Sequence, residues 1–124
     1  MRGQRLFVRP IDDHDHDSVR TFLERHGGGA RVPECGLVGK LVGDLVAVMT
    51  IAVTDDAVRI DDLVVAPELR RKRIGRVMLD ELDRLAAKME RDWLVVERAR
   101  DARYFFERVG FLEDGTRMVR RVRR

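Results

Sequence analysis

Cysteine is nearly absent from this 124-residue chain; Cys35 stands alone and cannot close an internal disulfide. That excludes a disulfide-framed secreted fold and makes a reducing, cytoplasmic setting the expectation. Prolines number three, and no Pro- or Ser-rich linker, repeat or low-complexity tract divides the chain. A single domain over residues 1–124 is therefore expected. No apolar run approaches the ~18 residues of a membrane span. The opening stretch Met1–Phe7 lacks the apolar centre of a secretory signal. Aromatic residues make up only 6%. Few of them fall among the basic residues near the end, so no base-stacking platform is visible and nucleic acid is not favoured as a partner.

Apolar residues are 44% of the chain, enough for a core, and charged residues are 38%, which crowds the surface. The formal net charge of +3 is uneven. Residues 1–66 hold 8 basic and 11 acidic side chains and residues 67–124 hold 17 and 11, so the halves carry −3 and +6. The second half should attract an anion, which composition alone does not identify.

Residues 5–9 read as a strand stopping at Pro10. Asp12 caps a helix whose first turn holds Asp13, Asp15 and Asp17, with Val19, Phe22 and Leu23 on one face and Gly27–Gly29 at its end. Acids suit a helix start, so this reading of the Asp12–Asp17 tract outweighs a metal site, and no metal is expected. Three strands follow over 35–42, 45–53 and 58–65, with turns at Gly43–Asp44 and Thr54–Asp56. In the third, Val58 and Ile60 share one parity while Leu63 and Val65 share the other. A period of two slips by one only through an insertion, so a β-bulge is expected near Asp61–Leu63. Ile74, Met78, Leu82, Leu85 and Met89 then form a helical stripe. Trp93–Val96 reads as a strand with Trp93 in the core, and 101–109 as a short helix closed by Gly110. Phe111–Leu112 and Met118–Val122 are the last strands, the arginines of the latter a solvated edge. The fold class is α+β, with a mixed, mostly antiparallel twisted sheet of about six to seven strands flanked by helices.

The order strand, bulge, basic loop and amphipathic helix carries the most chemistry. The first amides of the helix lack internal partners and suit phosphate oxygens. Arg70, Arg71, Lys72, Arg73 and Arg76 surround that end, and Gly75 lets backbone or ligand approach closely. The stretch from Val65 to Leu79, with Arg70 and Gly75 at the two ends of an Arg-x-x-Gly-x-Gly pattern, resembles the acyl-CoA signature of the GNAT N-acyltransferase superfamily. Ala102–Phe111 is similar to that family's Ala-x-x-Phe-Tyr-Glu-Lys-Leu-Gly-Phe segment. Val8–Pro10 with the acid-rich helix start looks like its opening, so the likeness spans most of the chain.

The resemblance implies an N-acetyltransferase that moves an acetyl group directly from acetyl-CoA to a primary amine. It implies that backbone groups of Leu63, Val64 and Val65 pair with the pantetheine arm. Arg70 and the amides of Arg71, Lys72, Arg73, Ile74, Gly75 and Arg76 would hold the diphosphate. Three departures stand out. Arg73 replaces the middle glycine, Phe106 stands at a frequent proton-donating tyrosine, and Ala99 stands at a frequent asparagine. Asp61 and Asp62 are candidate bases beside the thioester, and each also reads as a solvated or salt-bridged carboxylate. Tyr104 is the candidate acid if the helix is rotated. A degenerate member that binds CoA or a protein without turnover is the alternative. The short segment 26–33 suggests an open acceptor groove for a small amine or a protein amine. Edge strands in so small a domain also make a homodimer an expectation. Cys35 reads as a plain thiol.

Overall fold

An alternating run over 36–65 and a helical stripe over 74–88 set the architecture. The computed structural model describes residues 5–27, 31–70, 73–97, 99 and 102–124. Strand β1 (Leu6–Pro10) leads through a 3-10 turn (Asp13–Asp15) into helix α1 (His16–His26). Strands β2 (Gly36–Leu41), β3 (Asp44–Val53) and β4 (Ala57–Val65) form a meander. A second 3-10 turn (Pro67–Leu69) precedes helix α2 (Ile74–Lys88). Then come β5 (Trp93–Val96), the short helix α3 (Arg103–Arg108) and the hairpin of β6 (Leu112–Asp114) and β7 (Arg117–Arg121). The sheet has seven strands in the order β1-β2-β3-β4-β5-β7-β6. All neighbours are antiparallel except β4 and β5, which run parallel because α2 carries the chain back across the sheet. The α+β expectation holds.

Two layers of helix enclose the middle of the sheet. Residues Val46 to Met49 are all buried, so β3 is covered on both faces, by α1 and α2. Gly39 of β2 marks the α2 side: a Cβ there would sit 3.0 Å from Met78 Sδ. α3 lies on the α2 side too, since Phe105 packs on Gly75. Among the described residues no helix covers the opposite face over the first half of β4, β5 and β7. Trp93 lies on that face and is half-buried, not in the core as its apolar strand suggested, and Arg121 sits 5.0 Å over its ring.

Two acid–base pairs have a buried member. Asp15, expected in the first turn of the helix, is 2% exposed. Arg9 donates to both its oxygens, at 2.6 and 2.7 Å, and the Asp12 amide donates at 2.9 Å. Asp12 in turn accepts from the His14 amide, completing a reciprocal cap, so the acidic tract is spent on opening the helix. Arg120, expected on a solvated edge, is 7% exposed. It donates to both oxygens of Asp83 at 2.5 Å and to the Val109 carbonyl at 3.0 Å. α2 and the end of α3 are thereby tied to β7.

Pro10 ends β1 from inside the strand, which is tolerated because β1 is an edge. The β2–β3 turn is Val42–Gly43, one residue earlier than expected, with φ of 51° and 84°. Both central residues are left-handed, the type I′ pattern that twists with the strands, and the pairing of Leu41 with Asp44 requires it. A β-branched residue suits this poorly. Val42→Asn should therefore raise stability by about 1 kcal/mol, read as a higher urea midpoint at unchanged m-value.

The Arg9 guanidinium, with the Asp12 amide and Lys40 behind it, holds the Asp15 carboxyl well below the usual carboxylate range despite burial. A depressed carboxyl stabilises the fold above its unfolded pKa of about 4 and loses that contribution as pH falls toward the folded value. Asp15→Asn should cost about 1–3 kcal/mol at neutral pH. The gap between wild type and variant in urea melts should narrow progressively as pH falls below about 4.

Candidate functional site

The register shows the insertion that phase-counting required. Thr50 pairs with Asp62 but Ile51 pairs with Ile60, so Asp61 is the extra residue in β4. The β4–β5 ladder ends at Ile60 opposite Val96. Past that point no described strand pairs with β4 on the β5 side, so its main-chain groups facing the gap have no strand partner. A cleft of about 1130 Å³ opens there on the α2 side. Ile60, Leu63, Val65 and Val96 form its apolar floor. The start of α2 is one wall and α3 the other, with Arg70, Arg73 and Arg76 facing Tyr104, Phe105 and Arg108.

α2 begins without a side-chain cap and with no acid in its first turn. Its orphan amides and the positive end of its dipole thus remain available to an anion. Arg73, the residue before it, has φ 64° and ψ 14°, the left-handed region that glycine adopts freely. The departure from the middle glycine therefore carries strain, and the Arg73 side chain lines the cleft. Arg70 and Arg76 line it too, while Ile74 is buried and offers only its amide. Arg71 and Lys72 lie outside the described residues. Gly75 serves packing: a Cβ on it would lie 2.9 Å from Phe105 Cζ and 3.6 Å from Leu63 Cδ2. The close approach that glycine permits is made here by the chain's own phenylalanine.

The expected catalytic residues are placed unequally. Asp61 accepts from Arg59 Nε and Nη2, at 2.5 and 3.2 Å, so both its oxygens are engaged. The Asp62 carboxylate accepts from the Leu63 amide at 2.9 Å, on the bulged segment. Tyr104 lines the cleft and is 75% exposed. Phe106 is 4% exposed and packs edge-on against Phe105 and Phe111, each at 5.1 Å between centroids. It also lines the cleft, at the position the resemblance gives to a proton-donating tyrosine. Leu63 and Val65 point into the cleft, but Val64 does not line it and could contribute only main-chain groups. Ala99 lines the cleft.

A second, smaller cavity of about 290 Å³ lies on the uncovered face of the same strands. Strand alternation separates the two: Ile60 and Val96 line the cleft, while Arg59, Val95 and Glu97 line the groove. Trp93 forms part of the groove floor, and Asp114 and Arg117 border it from the closing hairpin. Sequence reasoning missed this groove and Glu97. Parity along 93–97 was available as a signal, but it has meaning only once β5 is known to pair with β4.

Residues 33–113 match a family model described as an acetyltransferase (GNAT) domain. The fold resembles the ribosomal-protein-S18-alanine N-acetyltransferase of Escherichia coli, with TM-score 0.80 and 17% identity over 97% of this chain and 96% of that one. It also resembles a GNAT family N-acetyltransferase of Escherichia coli in complex with CoA, with TM-score 0.76 and 16% identity over 99% and 84% of the chains. N-acetylglutamate synthase of Neisseria gonorrhoeae, in complex with coenzyme A and N-acetyl-glutamate, matches with TM-score 0.75 and 18% identity over 97% of this chain and 36% of that one. No curated protein matches.

The strain at Arg73 and its charge act in opposite directions. Arg73→Gly should raise stability by about 0.5–1 kcal/mol by relieving the left-handed conformation. The same variant should bind a polyphosphate ligand more weakly, having lost one cation from the cleft. Thermal melts and a titration with a CoA ester check the two halves separately.

Proposed function

The chain belongs to the GNAT acetyltransferase family, and on that premise we propose that it transfers an acetyl group from acetyl-CoA to a primary amine. The observation that carries this is the uncapped start of α2, ringed by Arg70, Arg73 and Arg76, beside the unpaired edge of β4 in one open cleft. The diphosphate sits against the α2 amides, where dipole and arginines both favour negative charge. The pantetheine arm lies along β4 past the bulge and takes the main-chain partners that β5 does not supply. This brings the thioester to the parting of β4 and β5, over the apolar floor. A main-chain N–H on the bulged segment is the natural donor to the thioester oxygen, which gains negative charge as the amine attacks.

Phe106 cannot protonate the departing thiolate. Tyr104 is the single tyrosine of the chain and borders the cleft, which makes it the side-chain candidate for that step. The burial of Phe106 among Phe105 and Phe111 favours one second reading, a member of the fold that binds CoA without turnover.

Calorimetry with acetyl-CoA tests the cofactor assignment. Saturable binding that weakens as salt is raised is expected, and no heat at millimolar ligand would overturn it. Thiol release over a panel of amines and peptides then separates enzyme from binder.

A further inference from the structure

We propose that the cleft takes a short unbranched apolar acyl group, propionyl or butyryl, in preference to acetyl. The inference rests on the acetyltransferase reading and names, within it, the class of acyl donor. Three observations point to it. The first is the floor. The β4–β5 ladder closes at Ile60 opposite Val96, and both residues line the cleft at that step. A thioester lying where the strands part therefore has branched aliphatic carbon beneath it. The second is the pair of residues beside that floor. Ala99, half-buried just past β5, lines the cleft with a single side-chain carbon, which leaves room that a larger residue would fill. Phe106 lines it from α3 with a bare ring, held edge-on by Phe105 and Phe111.

The third observation is what the polar side chains do. Asp61 and Asp62 are the polar residues of β4 that line the cleft. Both oxygens of Asp61 accept from Arg59, which lines the groove on the other face of the sheet, so that carboxylate is drawn away from the cleft. Asp62 is turned back on its own strand, where it accepts from the Leu63 amide. Tyr104 is 75% exposed and leaves the floor to others. An acyl chain at the parting of the strands thus meets Ile60, Leu63, Val96, Ala99 and Phe106, none of which has a side-chain hydrogen-bonding group. The methyl of an acetyl group uses little of this surface. Each further methylene leaves water for apolar contact, which strengthens binding about fourfold. A hydroxyl on the same chain would lose its water without gaining a side-chain partner.

The transfer balances as it does for acetyl. The lone pair of a neutral amine forms a bond to the thioester carbon, and the carbon–sulfur bond breaks with its electron pair leaving on sulfur. One proton leaves the nitrogen as the amide forms and ends on the thiolate, giving CoA thiol. The acyl tail takes no part in the bond changes and contributes only the surface it buries.

The test titrates the whole chain by calorimetry with CoA, acetyl-CoA, propionyl-CoA, butyryl-CoA and 3-hydroxybutyryl-CoA. Kd should fall about fourfold with each methylene, or about 15-fold from acetyl to butyryl. The hydroxylated ester, matched to butyryl in length, should bind no tighter than acetyl-CoA. Ala99→Leu fills the room beside the floor and Ala99→Asn adds a polar group there. Each should bring the butyryl and acetyl Kd values close together, with binding of CoA itself as the sign of a folded variant. Where a variant binds no CoA, the wild-type series with its hydroxylated member decides alone. Equal Kd values for the acetyl and butyryl esters, or tighter binding of acetyl, overturn the proposal and leave the acetyltransferase reading intact. A butyryl gain that the hydroxylated ester shares, or that both folded variants keep, also overturns it, since that gain marks unspecific apolar contact. Absence of binding by all five ligands at millimolar concentration overturns the acyl-CoA reading and this proposal with it.

Discussion

One inserted residue governs the site. A strand whose neighbours are both in register has no room for a ligand, because its main-chain groups are already paired. Asp61 breaks that condition. It shifts the register against β3 by one, and β4 loses its β5 partner beyond Ile60. The consequences are an unpaired strand edge, an apolar floor beneath it, and a cleft whose far end is the start of a helix. Without the insertion, β4 and β5 could continue side by side and close the gap.

The walls of the cleft are held by contacts far from any motif. Asp83 on α2, Arg120 on β7 and the Val109 carbonyl at the end of α3 form one buried set, with the Arg123 amide adding a fourth bond to Asp83. Such a set is costly to bury unless its partners are satisfied, and here only Arg120 Nε is left over among the described residues. Its effect is to fix α2 and α3, the two walls, on a common strand. Phe105 against Gly75 sets their closest approach near the α2 amides. The arginines of the cleft can therefore converge on an anion without the helix end itself being neutralised by an acid of its own chain.

Much of this was legible in the chain. The bulge followed from the phase change between Ile60 and Leu63, since a two-residue period leaves no other way to switch faces. The helix over 74–88 followed from its stripe, and the signature residues followed from their spacing. Less legible was the use of each charge. Arg120 read as part of a solvated edge, and the burial of Asp15 was not visible, because each depends on a partner thirty-seven or six positions away, Asp83 and Arg9. Trp93 read as core because an apolar strand gives no sign that one face lacks a helix. Phe106 read as a missing acid, and its ring lines the cleft while packing against Phe105 and Phe111, a contact that no local pattern showed.

What the chain alone determined is local: the elements, the insertion in β4, the unshielded positive start of α2 and the glycine in its first turn. Each is set by neighbours within a few positions, through sterics, alternation and hydrogen-bond supply. What tertiary structure alone decided is which groups remain free. Arg59 takes both oxygens of Asp61, the Leu63 amide donates to one oxygen of Asp62, and Glu97 faces the groove on the other face of the sheet. Whether a charged side chain is available for chemistry depends on long-range pairing and on which face of the sheet is covered, and no local pattern carries that information.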